Sequence, residues 1–140
     1  MVIYMAIVGF SFTKINVERN KPVQGQISVK NNVKIDDVKQ SDMKVGNQNQ
    51  KVAKVTFTYT SEYSPKIGNL ELGGELIYMN EAKVIDEVTK GWKDNKKIPE
   101  KVMTPVVNNI LSRSNILALS LTKEVNLPPQ LKLPRVAVNK

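Results

Sequence analysis

Histidine and cysteine are both missing from the 140 residues, and that absence decides most of what this chain can do to a substrate. It leaves no thiolate nucleophile, no Ser–His or Cys–His pair, no disulfide and no zinc site of the usual ligand types. Chemistry would fall to carboxylates, lysines, tyrosines and hydroxyls. Paired carboxylates can act as general acid and base or hold a hard cation. Asp36, Asp37 and Asp42 are the densest local group, but they lack the alternating spacing and the glycine of a calcium loop and read as a solvated loop. Glu71 and Glu75 fall on the less apolar face of a strand, where Lys54 opposite them makes an ordinary cross-strand pair. Gly73-Gly74 has no following lysine and hydroxyl and lies inside a strand, so it is no phosphate loop. Trp92 sits on an apolar helical stripe, a core position more often than a stacking platform. No catalytic, cofactor-binding or metal-ligating residue is expected, and the chain reads as a binder rather than an enzyme.

Length and composition predict a single soluble domain over residues 1–140, with 41% hydrophobic and 24% charged residues. The apolar opening from Met1 to Phe10 is about half of what a membrane span needs and lacks the pattern of a signal peptide. A cytoplasmic location is the resulting expectation. The formal charge of +8 invites a nucleic-acid reading. The excess, however, is spread along the chain, and only Arg19, Arg113 and Arg135 are arginines. Base and phosphate readers favour arginine, and single strands stack on aromatics, which make up only 6% here. Lys93, Lys96, Lys97 and Lys101 form the one dense cluster and read first as a solvated linker.

The elements that must position any site change period midway. Alternation from Phe10 to Tyr78 predicts strands with one buried face, the whole sheet spanning about residues 4–79. The first strand changes phase: Ala6, Val8, Phe10 and Phe12 give way to Ser11, Thr13, Ile15 and Val17. Such a switch fits a bulge, or a strand whose two ends are covered by different neighbours. Ile27, Val29, Val33 and Ile35 form the second strand, with Asn31 as its polar interruption. Gly46-Asn47 supplies turn chemistry before Ala53, Val55, Phe57 and Tyr59. Leu70, Leu72, Leu76 and Tyr78 make the fourth strand, with Gly73-Gly74 marking a bulge or a close backbone approach. Short loops between successive strands predict an antiparallel meander.

Helical spacing follows, over 81–93 and 104–124. Asn80 is the expected N-cap, Val84, Ile85, Val88 and Trp92 form one stripe, and Gly91 with the lysines ends the first helix. Thr104-Pro105 either opens the second helix or kinks it. Val106, Val107, Ile110, Leu111, Leu117, Ala118 and Leu121 share a face, whereas Ile116 and Leu119 fall off it. Either the tail folds back over those two, or they meet another subunit; the second is favoured, because exposed apolar patches mark contacts. Residues 126–138 form an extended, proline-rich strap whose Leu127, Leu131 and Leu133 call for burial.

This order of elements, with Ser112-Arg113 in the long helix and Pro129-Gln130-Leu131-Lys132-Leu133 followed by Pro134 and Val136, resembles the SecB family of export chaperones. The resemblance implies an α+β fold: a four-stranded antiparallel meander, a short helix, a long helix and a C-terminal strap. It also implies an ATP-independent holdase that binds unfolded polypeptide clients on apolar grooves of a dimer or tetramer assembled through the first strand and long helix. Candidate groove residues are Phe57, Tyr59, Leu76, Tyr78, Trp92 and Leu133; candidate interface residues are Phe10, Phe12, Ile116 and Leu119. Two departures mark a divergent, archaeal or other unusual member. Asn115 to Leu121 extends the family's helix–tail junction, and the basic charge argues against docking the SecA motor, which uses acidic sheet surface. A nucleic-acid or ribosome-associated module and a purely structural oligomer are the alternative readings.

Overall fold

In the computed structural model, which describes residues 6–131, four strands and two helices follow in chain order. They are β1 (Ala6–Arg19), β2 (Ser28–Val45), β3 (Gln48–Ser64), β4 (Gly68–Met79), α1 (Ala82–Asn95) and α2 (Glu100–Glu124). All pairings are antiparallel, in the order β1-β4-β3-β2. The α+β class and the four-stranded antiparallel sheet are therefore as the sequence predicts. The meander needs correction, because only β2-β3-β4 runs as one. β1 pairs with β4, so residues 20–27 cross from one sheet edge to the other. Local alternation carries no information about which distant strand becomes a neighbour.

β3 alternates as its sequence demands. Ala53, Val55, Phe57, Tyr59, Ser61 and Tyr63 are buried beneath the helices, and Lys54, Thr56, Thr58 and Thr60 face away. Val45 and Gln48 pair across a two-residue turn whose Gly46 has φ +65°, the backbone such hairpins require. On the open face, Lys54 bonds Glu75 at 3.1 Å as anticipated, whereas Glu71 is bonded by Lys14 of β1 at 3.2 Å rather than by Lys54.

The phase switch of β1 resolves as a bulge. Register slips between Ile7 and Gly9 and again between Phe12 and Lys14. Phe10, Phe12, Ile15 and Val17 then stand opposite Leu76, Gly74, Leu72 and Leu70, four alternate residues of β4. The extra residue at Thr13 thus keeps both apolar runs on the helix side. Gly74 is the counterpart of this bulge: a Cβ there would meet the Ser11 carbonyl at 2.5 Å and the Phe57 ring at 2.7 Å.

α1 starts one residue later than expected. Glu81 is its N-cap, while the Asn80 side chain accepts the Glu81 N–H at 2.7 Å and donates to the Tyr78 hydroxyl at 2.8 Å. The helix also continues past Gly91 to a left-handed cap at Lys96. Gly91 serves instead as a close approach, since a Cβ there would stand 2.8 Å from the Lys97 carbonyl. α2 begins at Glu100 rather than at Thr104. Pro99 caps it, accepting the N–H groups of Val102 and Met103 at 2.9 Å, and Pro105 lies inside the helix. Its missing N–H costs one helical bond near the N-terminus, where neighbouring turns tolerate the loss.

Val102, Val106, Ile110, Ser114, Ala118 and Thr122 are the buried positions of α2. Spacing of four residues exceeds the 3.6-residue turn, so the contact line winds around the helix and carries it obliquely over the sheet. Its first half joins the core of Val38, Phe57, Leu76, Ile85 and Trp92; Ala118 joins the second cluster of Tyr59, Leu70 and Leu72.

Candidate functional site

α2 has more apolar side chains than the sheet beneath it covers. Ile116 is 67% exposed, and Val107, Leu111, Leu117, Leu119 and Leu121 are half-buried. Two grooves result, one on each flank of the helix. The first, of about 340 Å³, lies between α2 and β1, lined by Phe12, Arg113, Ile116, Leu117 and Ser120. Phe12 stacks edge-on against Phe10 at 5.1 Å, and the Arg113 guanidinium covers the Phe10 ring at 4.9 Å. Ile15, further along β1, is 54% exposed.

The second groove, of about 630 Å³, lies on the other flank, between the C-terminal half of α2, the β1–β2 crossover and the strap. Val23, Leu119 and Lys123 form its walls together with Asn126, Leu127, Pro128 and Pro129. The crossover reaches this place because β1 and β2 occupy opposite sheet edges. The strap reaches it because α2 ends in a Schellman motif. Asn126 adopts φ +59°, its N–H bonds the Lys123 carbonyl at 3.2 Å, and the Leu127 N–H bonds the Thr122 carbonyl at 2.8 Å. Leu127 then turns inward and is 5% exposed, packed beside Tyr63 and Ile67.

Beneath the strap runs a polar seam. The Tyr63 hydroxyl donates to the Pro128 carbonyl at 2.5 Å, Asn31 Nδ2 to the Gln130 carbonyl at 3.0 Å, and Gln130 Nε2 to the Asn115 carbonyl at 2.9 Å. Asn115 Oδ1 accepts the Tyr59 hydroxyl at 2.8 Å, and Ser61 donates to Asn31 at 2.6 Å. Burial pushes the Tyr59 phenol upward, and burial followed by the charge of Tyr59 pushes Tyr63 up to about 12. Both are therefore neutral donors at ordinary pH. No cluster of carboxylates among the described residues could hold a metal ion.

The residues singled out as a client groove are placed elsewhere. Phe57, Tyr59 and Leu76 are fully covered, Tyr78 is 1% exposed and Trp92 8%. They are core, because the helices lie directly over that face of the sheet; Leu133 lies outside the described residues. Of the interface candidates, Phe10 and Phe12 pack inward against Phe57, and Phe12 also edges the first groove. Ile116 opens onto that groove, and Leu119 onto the second, where the strap partly covers it. Among the described residues, the tail thus reaches the groove of Leu119 and not that of Ile116. Leu127 is buried as expected, whereas Leu131 is 38% exposed. Sequence reasoning missed the seam. Its signal was the polar pair Asn31 and Ser61, which stand opposite each other in adjacent strands at positions where alternation calls for apolar residues.

No protein-family model and no curated protein matches this chain. Among solved structures, it is similar to the SecB-like chaperone Rv1957 of Mycobacterium tuberculosis, determined in complex with a ChAD peptide from the Rv1956 HigA1 antitoxin. The two share 8% sequence identity with a TM-score of 0.60, over 95% of this chain and 90% of the other. At that identity the likeness concerns the backbone, and the chain has a SecB-like fold.

Proposed function

We propose that this protein is an ATP-independent holdase that keeps unfolded or partly folded polypeptides soluble by binding their apolar segments along the flanks of α2. The observation that carries the reading is the surplus of half-covered apolar side chains on that helix, centred on Ile116 and Leu119, beside two grooves with mostly nonpolar walls. Burial of such surface is favourable and non-directional, which suits clients of unrelated sequence. The shared fold of a chaperone caught with a bound peptide supports it further. Within this reading the protein is no enzyme, needs no cofactor and works in the cytoplasm. It assembles as a dimer or tetramer through the β1 edge, where Ile15 is 54% exposed, which leaves Ile116 to clients.

A secretion motor is not part of the reading. The open sheet face, where an acidic docking surface would lie, pairs Glu71 with Lys14 and Glu75 with Lys54. Dilution of a chemically denatured client into buffer, followed by light scattering, tests the holdase. Stoichiometric protein is expected to suppress the scattering without nucleotide, and unchanged scattering at every ratio would refute it.

A further inference from the structure

The strap is held in an unusual manner for a segment that closes a core. No strand ladder binds its described residues, 125–131. Its carbonyls are gripped one by one by side chains from the body: Val125 by Arg19 Nε at 2.8 Å, Pro128 by Tyr63, and Gln130 by Asn31. The amide of Gln130 in turn rests on the Asn115 carbonyl of α2. Carbonyls recur in every polypeptide, so donors that reach only carbonyls read main chain rather than sequence. Pro128 and Pro129 can offer no N–H in return. Among the described residues, the buried Oε1 of Gln130 and the buried hydroxyl of Ser114, next to Asn115 on the helix, are left without partners. The strap's own Gln130 amide is thus only half satisfied where it lies, a mark of imperfect fit between the strap and its seat. The same strap forms one wall of the larger groove, so lifting it would widen that groove.

We infer that Arg19, Asn31, Tyr63 and Asn115 form a seat for the main chain of an extended polypeptide. In the free protein the chain's own 125–131 segment fills it, and a bound client's extended stretch replaces that segment. This rests on the holdase reading and deepens it: the strap is a built-in competitor that sets client affinity. A client that takes the same donors without burying an unpaired amide oxygen competes with the strap. Affinity is then lowered by the fraction of molecules whose seat is filled, and loosening the strap restores it.

Variants on the two sides of the contact should therefore act differently. Gln130→Ala loosens the strap and leaves the seat whole; Asn31→Ala removes a seat donor that strap and client share. The probe is fluorescently labelled, reduced and carboxymethylated α-lactalbumin, a permanently unfolded chain, titrated with the full-length protein and followed by anisotropy. Gln130→Ala is expected to bind it about threefold tighter, and Asn31→Ala, which takes one bond from strap and client alike, about as tightly as the unaltered protein. Circular dichroism establishes folding. Leu127→Ala, also on the strap side, serves if Gln130→Ala does not fold and should likewise tighten binding. Strap-side variants that leave affinity unchanged, or weaken it, would overturn the inference and leave the holdase standing. Absence of binding by the unaltered protein would remove both.

Discussion

Tyr63 ties the strap to the sheet through a phenol that burial keeps protonated. Its folded value of about 12 lies above the ordinary 10.0, so the unfolded chain releases this proton first as pH rises. Its contribution to stability is fully present below pH 10 and lost as pH climbs toward 12, since the native state then holds more protons than the unfolded one. Thermal melts between pH 9 and 11.5 should show a falling midpoint, and Tyr63→Phe should flatten that fall. At neutral pH the same change should cost about 1 kcal/mol, through the Pro128 carbonyl it leaves without its donor. Ile116 makes the opposite case. It is 67% exposed, so Ile116→Asp should leave the melting midpoint within a degree or two while weakening suppression of client aggregation. A large loss of stability instead would mean that Ile116 is packed in the monomer. At this scale the sequence is only partly legible. Ile116 stood out because it left a helical stripe, but Phe57, Tyr59 and Tyr78 read equally well as core or groove. An aromatic on an alternating strand does not reveal whether a helix or a client lies over it.

Strands and helices were more legible, because each is specified by its own period. The clean alternation of β3 and the phase change of β1 both survive in the fold, the latter as the bulge at Thr13. Gly74 faces that bulge, and Gly74→Ala should cost about 1–3 kcal/mol in denaturant unfolding, as a methyl group forced against Phe57 and the Ser11 carbonyl. An effect below half a kcal/mol would show that β1 can slide away. Boundaries were harder to read: Pro99 and Pro105 are both chemically acceptable helix openers, and only packing of Val102 into the core decides for the earlier one. The strap was foreseen as an ordered segment. Cutting the chain after Val125 should lower stability by about 2–5 kcal/mol, the usual range for emptying a buried leucine site. An unchanged melt would show that Leu127 contributes no net packing.

Strand order belongs to the whole molecule and had no local signature; β1 crosses to β4 because the apolar faces of distant segments fit there. The net charge of +8 is likewise a property of the whole chain. Raising salt from 50 to 200 mM should change unfolded-client affinity by less than about threefold, whereas six or more phosphate contacts would lose about a thousandfold. A steep loss would return the nucleic-acid reading to first place. Sedimentation of the intact protein should give a dimer or tetramer; a monomer at every concentration would refute the assembly. The winding line along α2 reaches further than its role in the core. Its residues shrink from valine and isoleucine in the first half to Ser114, Ala118 and Thr122 in the second, while the leucines alongside remain half-covered. A taper in side-chain volume along one seam thus fixes where this molecule is adhesive. Adhesion could then be dialled from inside, by refilling the narrow end, without altering a single outward-facing atom.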